Sequence, residues 1–411
     1  MEETTFLKDE LHSDINKYDF PVLKKTLNMS KEKVISEIKN SGLKGRGGAG
    51  FPTGVKWDLA NSESDECKYV ICNGDEGEPG TYKDRFLMEE APLRLLEGIE
   101  VAAYAVGAEK GYIYIRGEYT EPIKIFKNII EKAYKKGILG SNILNSGFDF
   151  DLEMVRGAGA YVCGDETSLL NSIEGKRGRS RIKPPYPVSK GLFGKPTVVN
   201  NVETLTAAAN IIDKGSEVYK ALGTENSRGT KLVCLSGNIN NPGIFEVEFG
   251  SCTLEDIIYK FGDGPVNNTL KMVVPGGIST SILTPEELDV SYTYEDMAEA
   301  GSSLGSGAII IVGEDEKLID LLINVSRFFM DETCGTCFPC REGNRQVNYI
   351  LKEVKENKGK MSEEKINLIN DIGNSINLAA RCGLGQTSLN FIGSVLDKFK
   401  NEFIVRGGEN G

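Results

Sequence analysis

The chain has 411 residues, of which 40% are hydrophobic and 26% charged, and its formal charge is -12. That length holds two or three domains, and the acidic balance argues against a nucleic-acid binder, whose surface is basic. His12 is the sole histidine, which removes Ser–His–Asp hydrolysis, His-rich zinc catalysis and a two-histidine Rieske centre.

The first twenty residues are acidic and polar, with no apolar signal core, and no stretch reaches the roughly 20 apolar residues of a membrane span. A cytoplasmic protein without direct membrane contact is expected. SKEKVISEIKN predicts a helix over 30–40, with Ser30 as cap and Val34, Ile35 and Ile38 on one face. GLKGRGGAGFPTG follows as a loop. Apolar runs at Tyr69–Cys72, Gly111–Arg116 and Phe150–Val155 read as strands, separated by helices over 86–106 and 121–136. Such alternation marks an α/β domain with a largely parallel sheet, covering 1–223. From 224 to 312 short strands dominate, around a single helix in TLEDIIYKFG. In GIFEVEFG, Phe245, Val247 and Phe249 alternate with Glu246 and Glu248, as in a half-buried strand. Residues 313–411 read as a helical bundle burying stripes such as Val347, Ile350, Leu351 and Val354.

Four cysteines carry the sharpest pattern. Cys334, Cys337 and Cys340 are spaced by two residues in ETCGTCFPCREG, and Cys382 follows in RCGLGQT. Three thiolates in one loop and a distant fourth suit a [4Fe-4S] cluster, whereas zinc usually takes two separated pairs. Cys67, Cys72, Cys163, Cys234 and Cys252 lack such spacing and read as small hydrophobes.

Gly45, Gly47 and Gly50 match G-x-G-x-x-G, but this loop follows a helix and runs into Pro52, unlike a dinucleotide fingerprint. Backbone amides approaching a phosphate or ring, aided by Arg46 and Lys56, and a plain turn are both open readings. NGDEGEPG places Asp75, Glu76 and Glu78 on a strand-end loop, and GAGAYVCGDETSLL opens a helix near Asp165. Carboxylates there can hold ribose hydroxyls, and solvated acidic turns would look the same. The basic run Lys176, Arg177, Arg179, Arg181 and Lys183 reads equally as a phosphate-facing loop or a solvated one.

Taken together, GRGGAGFPTG-x-KW, NGDEGEPG, CGDETSLLNSIEG, KPPYP, GKPTVVNNVET and the cysteine loops, in this order over 41–390, resemble one family. It is the NADH-binding flavoprotein subunit of respiratory complex I and its relatives in NAD-linked hydrogenases, formate dehydrogenases and electron-bifurcating enzymes. The resemblance implies a Rossmann-like FMN domain, a ubiquitin-like β-grasp domain and a helical bundle with one [4Fe-4S] cluster on Cys334, Cys337, Cys340 and Cys382. It implies FMN held by Gly45, Arg46, Gly47, Gly48, Lys56, Asn73, Asp75, Gly164, Asn200, Asn201 and Thr204. NAD(H) would be held by Phe51, Glu78, Glu166, Lys183 and Tyr186, with the flavin carrying the chemistry and no catalytic protein residue. Implied partners are a small thioredoxin-like [2Fe-2S] subunit and a larger ferredoxin-like, hydrogenase or dehydrogenase subunit, with electron bifurcation one mode open to the family. Asp165 stands where the family usually has glutamate, and Leu59 where some members have an aromatic ring. CGLGQT is similar to the hydrogenase and dehydrogenase branch, and the thioredoxin-like and ferredoxin domains of many bifurcating members have no counterpart in the sequence. A non-catalytic iron–sulfur adaptor, or a β-grasp ligand-binding protein with a structural zinc, are the competing expectations.

Overall fold

The computed structural model describes residues 5–8 and 11–404. Two four-stranded sheets and a helical carboxy-terminal region form the fold. The first sheet comprises β1 (Tyr69–Gly74), β2 (Lys110–Ile115), β3 (Asp151–Arg156) and β4 (Thr197–Asn201), all parallel, in the order β3-β2-β1-β4. Its central strand buries Val70, Ile71 and Cys72, as a parallel sheet covered on both faces requires. Helices Pro92–Val106 and Val202–Lys214 pack so closely that a Cβ on Gly98 would lie 2.1 Å from the Leu205 carbonyl oxygen. The helix expected over 86–106 is divided into Lys83–Glu90 and Pro92–Val106. Pro92 lacks the amide that would continue the ladder and instead opens the second helix.

From β1 the chain steps through β2 to β3 on one side, then returns to place β4 on the other. A crevice opens where the direction reverses, outside the carboxyl ends of β1 and β4. The Gly-rich loop, the 75–78 loop and the segment before helix Glu166–Ile173 all lie at this edge.

The second sheet has the order β6-β5-β8-β7, from β5 (Thr230–Gly237), β6 (Gly243–Glu248), β7 (Met272–Val274) and β8 (Ala308–Val312). Pairing is parallel only between β5 and β8. Val233, Leu235, Ile309 and Ile311 form its core with Ile257 and Ile258 of the helical turn 254–261. A second helix, Tyr294–Glu299, joins the one expected there. Glu246 is not the solvent-facing residue that alternation suggested. It is buried and accepts bonds from the Leu7 and Lys8 amides and the Thr230 hydroxyl, because the amino-terminal segment covers that face.

Helices Leu318–Glu332, Phe338–Glu356, Glu363–Ala379 and Asn390–Lys398 form the last region, burying Val347, Leu351, Val354, Ile366, Ile369 and Val395. Among the described residues no helix is long and apolar enough to cross a membrane.

Candidate functional site

The Gly-rich loop is built before any ligand arrives. Helix Lys31–Ser41 delivers it, Gly45 N donates to Phe51 O at 2.9 Å, and helix Thr53–Ser62 begins after Pro52. Arg46 N donates to Thr204 Oγ1 at 2.9 Å, tying the loop to the start of helix Val202–Lys214. The Arg46 side chain does not reach into the crevice. Its guanidinium is buried, bonds Tyr219 Oη at 2.6 Å and Arg228 O at 2.8 Å, and lies 4.8 Å from the Phe249 ring centroid. Both Arg46 backbone groups are also taken, the amide by Thr204 and the carbonyl by Lys231, while Gly48, with no atom within 4 Å of a Cβ placed there, leaves space.

Asn201 ends β4, and its carbonyl oxygen caps the following helix by accepting from Glu203 N at 3.0 Å. Its amide donates to Asp84 at 2.6 Å, and Trp57 Nε1 fixes Asn200 at 2.8 Å. Behind Asn201 lies a buried ionic group that sequence reasoning missed. Lys83 pairs with Asp84 at 2.7 Å and Glu203 at 2.9 Å, and Lys231 from β5 approaches Glu203 at 3.4 Å and Arg46 O at 3.2 Å. Burial alone would raise the Glu203 carboxyl, but Lys231, Lys83 and Arg46 hold it below its ordinary value. Burial pushes the Lys231 ammonium down to about 8. The four partners come from three elements far apart in the chain, so only the charged character of KDR and VVNNVET hinted at them.

At the end of β1, Asn73 Nδ2 donates to Gly164 O at 2.9 Å and Asp75 N to Asn73 Oδ1 at 3.0 Å. Asp75 Oδ2 is buried with no hydrogen-bond partner, and burial pushes this carboxyl up to about 7. Glu76, by contrast, is consumed structurally, capping helix Lys83–Glu90 through the Asp84 and Arg85 amides. Glu78 is buried and accepts from Tyr161 Oη and from Ser279 N at 2.9 Å. Burial raises its carboxyl despite those bonds.

Glu166, Lys56 and Lys183 meet on the open side. Lys183 lies 2.8 Å from Glu166 and Lys56 3.7 Å from it, while Lys56 also donates to Val199 O at 3.1 Å. Burial would raise Glu166, but Lys56 and Lys183 keep it below its ordinary value; burial lowers Lys56. Asp165 Oδ1 caps the helix by accepting from the Thr167 and Ser168 amides, which leaves Oδ2 as its other acceptor. Phe51 and Tyr186 stand exposed at the rim, near Leu59 and Val55, which are also exposed.

The basic run divides. Lys183 serves Glu166, Arg181 and Lys176 pair with Glu174, and Arg177 donates to Cys334 O at 2.8 Å. That last bond joins the crevice wall to the cysteine loop. Gly335 adopts φ +74°, Cys337 precedes helix Phe338–Glu356, Cys340 sits in its first turn, and Cys382 precedes helix Gly383–Thr387. Helix amino ends present positive amides, which favour thiolates. Burial raises the Cys340 thiol, and Cys382, Cys337 and Cys334 lie close enough to raise it further. Cys340 Sγ sits 3.2 Å from Thr333 Oγ1, and the buried Ser180 hydroxyl faces Cys382, where it counters the rise that burial gives that thiol. Among the described residues no three His, Cys, Asp or Glu side chains close in as they would round a single ion. All nine cysteines are free.

The sequence matches the model of the Nuo51 FMN-binding domain over residues 38–210 and that of the NADH-ubiquinone oxidoreductase-F iron-sulfur binding region over 320–406. It is 42% identical to the F subunit of NADH-quinone oxidoreductase from Aquifex aeolicus, covering 96% of this chain and 92% of the relative. The chain belongs to the family of NADH-quinone oxidoreductase F subunits.

It is also 43% identical to the HndC subunit of the NADP-reducing hydrogenase of Solidesulfovibrio fructosivorans, covering 93% of this chain and 77% of that one. A solved NAD+-reducing [NiFe]-hydrogenase superposes with a TM-score of 0.85 at 33% identity, over 94% of this chain and 64% of that chain. The cofactors of this family are accordingly FMN and a [4Fe-4S] cluster. The FMN match spans the crevice residues from Gly45 to Thr204, and the iron–sulfur match spans all four cysteines. The geometry fits both groups. Asp75 Oδ2 lacks a donor, Gly48 leaves room, and Cys334, Cys337 and Cys382 all lie within electrostatic reach of Cys340.

Proposed function

We propose that this protein accepts hydride equivalents from NADH at the crevice and passes electrons singly through the cysteine loop to an iron–sulfur partner. The observation that carries this reading is the shared wall formed by residues 160–180. Tyr161 binds Glu78 at the crevice and lies within electrostatic reach of Cys382, and Arg177 grips Cys334 O. When bound, FMN supplies the two-electron acceptor and the [4Fe-4S] group the one-electron relay. The protein's task is binding and orientation. Gly45, Gly47, Gly48, Asn73, Gly164, Asn200 and Thr204 frame the flavin with backbone and fixed amides, Lys56 supplies charge, and Asp75 supplies an acceptor. Phe51 and Tyr186 offer faces for adenine, and Glu166, kept ionised by Lys56 and Lys183, takes ribose hydroxyls and repels a 2′-phosphate.

The mixed sheet with its helix over 224–312 supports a ubiquitin-like β-grasp unit between an FMN domain (1–223) and the cluster bundle (313–411). A thioredoxin-like [2Fe-2S] subunit and a larger ferredoxin-like, hydrogenase or dehydrogenase subunit are the proposed partners, in the cytoplasm. Anaerobic NADH added to the purified holoprotein should bleach the flavin band near-stoichiometrically. Cys337→Ser should still bleach yet lose onward transfer. An unchanged flavin spectrum would remove this function.

A further inference from the structure

Lys231 is a buried cation whose charge its neighbours only partly answer. It comes from β5 of the second sheet, outside residues 1–223, and its side chain is 1% exposed. Among the described residues its acceptors are Arg46 O at 3.2 Å and Glu203 at 3.4 Å, both long for an ammonium with three protons to place. Glu203 is also shared, because Lys83 takes it at 2.9 Å and the Leu232 amide at 2.9 Å. Arg46, Lys83 and Lys231 thus face only Asp84 and Glu203, so the cations outnumber the carboxylates. Glu76 and Glu246 stand nearby, but each is raised to about 7 and answered by backbone amides of its own. The Cys234 thiol, which Lys231 also faces, is pushed up to about 12 and stays neutral.

This cationic excess lies against one part of the crevice. Lys83 Nζ stands 3.5 Å from Asn201 Oδ1, and Arg46 N is fixed to Thr204. A Cβ on Gly47 would come 3.2 Å from Asn201 Cβ, so the glycine loop rests on the same residue. Helix Val202–Lys214 begins there, and its amino end adds partial positive charge. At the end of β1 the sign is opposite, since the unbonded group is an acceptor, Asp75 Oδ2. An anionic group fits the first place and a hydrogen-bond donor the second.

We propose that Lys231 is a positioning residue for the phosphate of FMN, the second sheet supplying the buried charge that draws this dianion to the Gly47–Gly48 turn and the start of helix Val202–Lys214. The proposal rests on the flavin-binding reading of the crevice and adds a residue from outside the FMN match that orients the flavin. Lys231 does not touch the ligand. It acts across the Arg46 backbone and Glu203, where the dry interior lets a charge reach several ångströms. Burial, with Lys83 and Arg46, pushes its ammonium down to about 8 against the pull of Glu203 and Asp84. A bound phosphate, dianionic above about pH 6, pulls the proton back. FMN affinity is therefore full below pH 8 and falls as pH rises through 8.

The test uses the full-length protein with its cluster in place and its flavin removed, titrated with FMN and with riboflavin, which lacks the phosphate. Quenching of flavin fluorescence reads both affinities. Lys231→Met leaves Glu203 paired with Lys83, so the fold should hold, as melting and iron content check. It should weaken FMN binding at neutral pH about tenfold or more and change riboflavin binding less than about twofold. Lys231→Arg, which stays charged, should keep FMN binding and remove the fall above pH 8. Equal loss of both flavins in Lys231→Met, or a wild-type FMN affinity that stays level through pH 8, would overturn the role of Lys231. So would an FMN preference that Lys56→Met abolishes and Lys231→Met keeps, since the phosphate would then lie on the open side. Failure of the wild-type protein to bind either flavin would overturn the flavin reading and the proposal with it.

Discussion

The crevice and the cysteine pocket are prepared to different degrees. In the crevice most polar groups already have protein partners. Arg46 is spent on Tyr219 and Arg228, Asn201 on Glu203 and Asp84, and Asn73 on Gly164, while Asp75 Oδ2 and Arg46 Nε are left open. In the pocket burial raises the Cys340 and Cys382 thiols, and neighbouring cysteines raise them further. One site is preorganised by the chain, and the other is completed by its cluster. A flavin that dissociates can return to an intact frame, whereas a bundle that loses its cluster keeps a costly thiol pocket.

Breaking the pocket should give the largest effect. Cys382→Ala or Cys337→Ser should lose nearly all bound iron and lower the melting temperature of the carboxy-terminal region while flavin content holds, as read by iron assay, flavin absorbance and calorimetry. Loss of flavin in equal measure would show that the crevice depends on the cluster after all. Breaking the frame comes next. Glu203→Gln strands Lys231 in the interior, leaves Lys83 with Asp84 alone, and should cost about 3–5 kcal/mol in chemical denaturation. It should also release flavin while iron stays bound.

A smaller effect is expected on the open side, where groups are partly exposed. Lys183→Met should raise the KM for NADH about tenfold, or about 1.4 kcal/mol, with kcat nearly unchanged in a dye-reduction assay. The smallest concerns Asp75. Its carboxyl titrates near 7 in the fold against 3.8 as its ordinary value, so the folded apoprotein holds a proton that the unfolded chain releases. Stability from this group is full below about pH 4 and is lost as pH rises through 7. Asp75→Asn should flatten that decline in apoprotein denaturation curves between pH 4 and 7, and an unaltered slope would reassign it to Glu76 or Glu246, which also titrate near 7.

Much of the site was legible because its signals are local. Cys334, Cys337 and Cys340 lie within seven residues of one another, so their proximity follows from spacing alone. Ser30 caps the helix it was expected to cap, accepting from Lys33 N at 3.2 Å. Strands β1, β2 and β3 fall on the apolar runs, since each buries side chains on a covered sheet. Misreadings arose where a distant segment decided a residue's environment. Glu246 looked solvent-facing until residues 7 and 8 covered it.

The sequence by itself determined the chemistry available to this protein: four cysteines at cluster spacing, glycines where a ligand must approach the backbone, and almost no imidazole. Local spacing and residue type suffice for that, because ligand sets and turns are built from neighbours. Only the tertiary structure decided how those parts are used. It directed the Arg46 side chain away from the crevice, joined Lys83, Glu203 and Lys231 behind Asn201, and laid one wall between crevice and thiols. Those outcomes depend on burial and on charges from remote elements, whose interactions grow strong only when packing removes water.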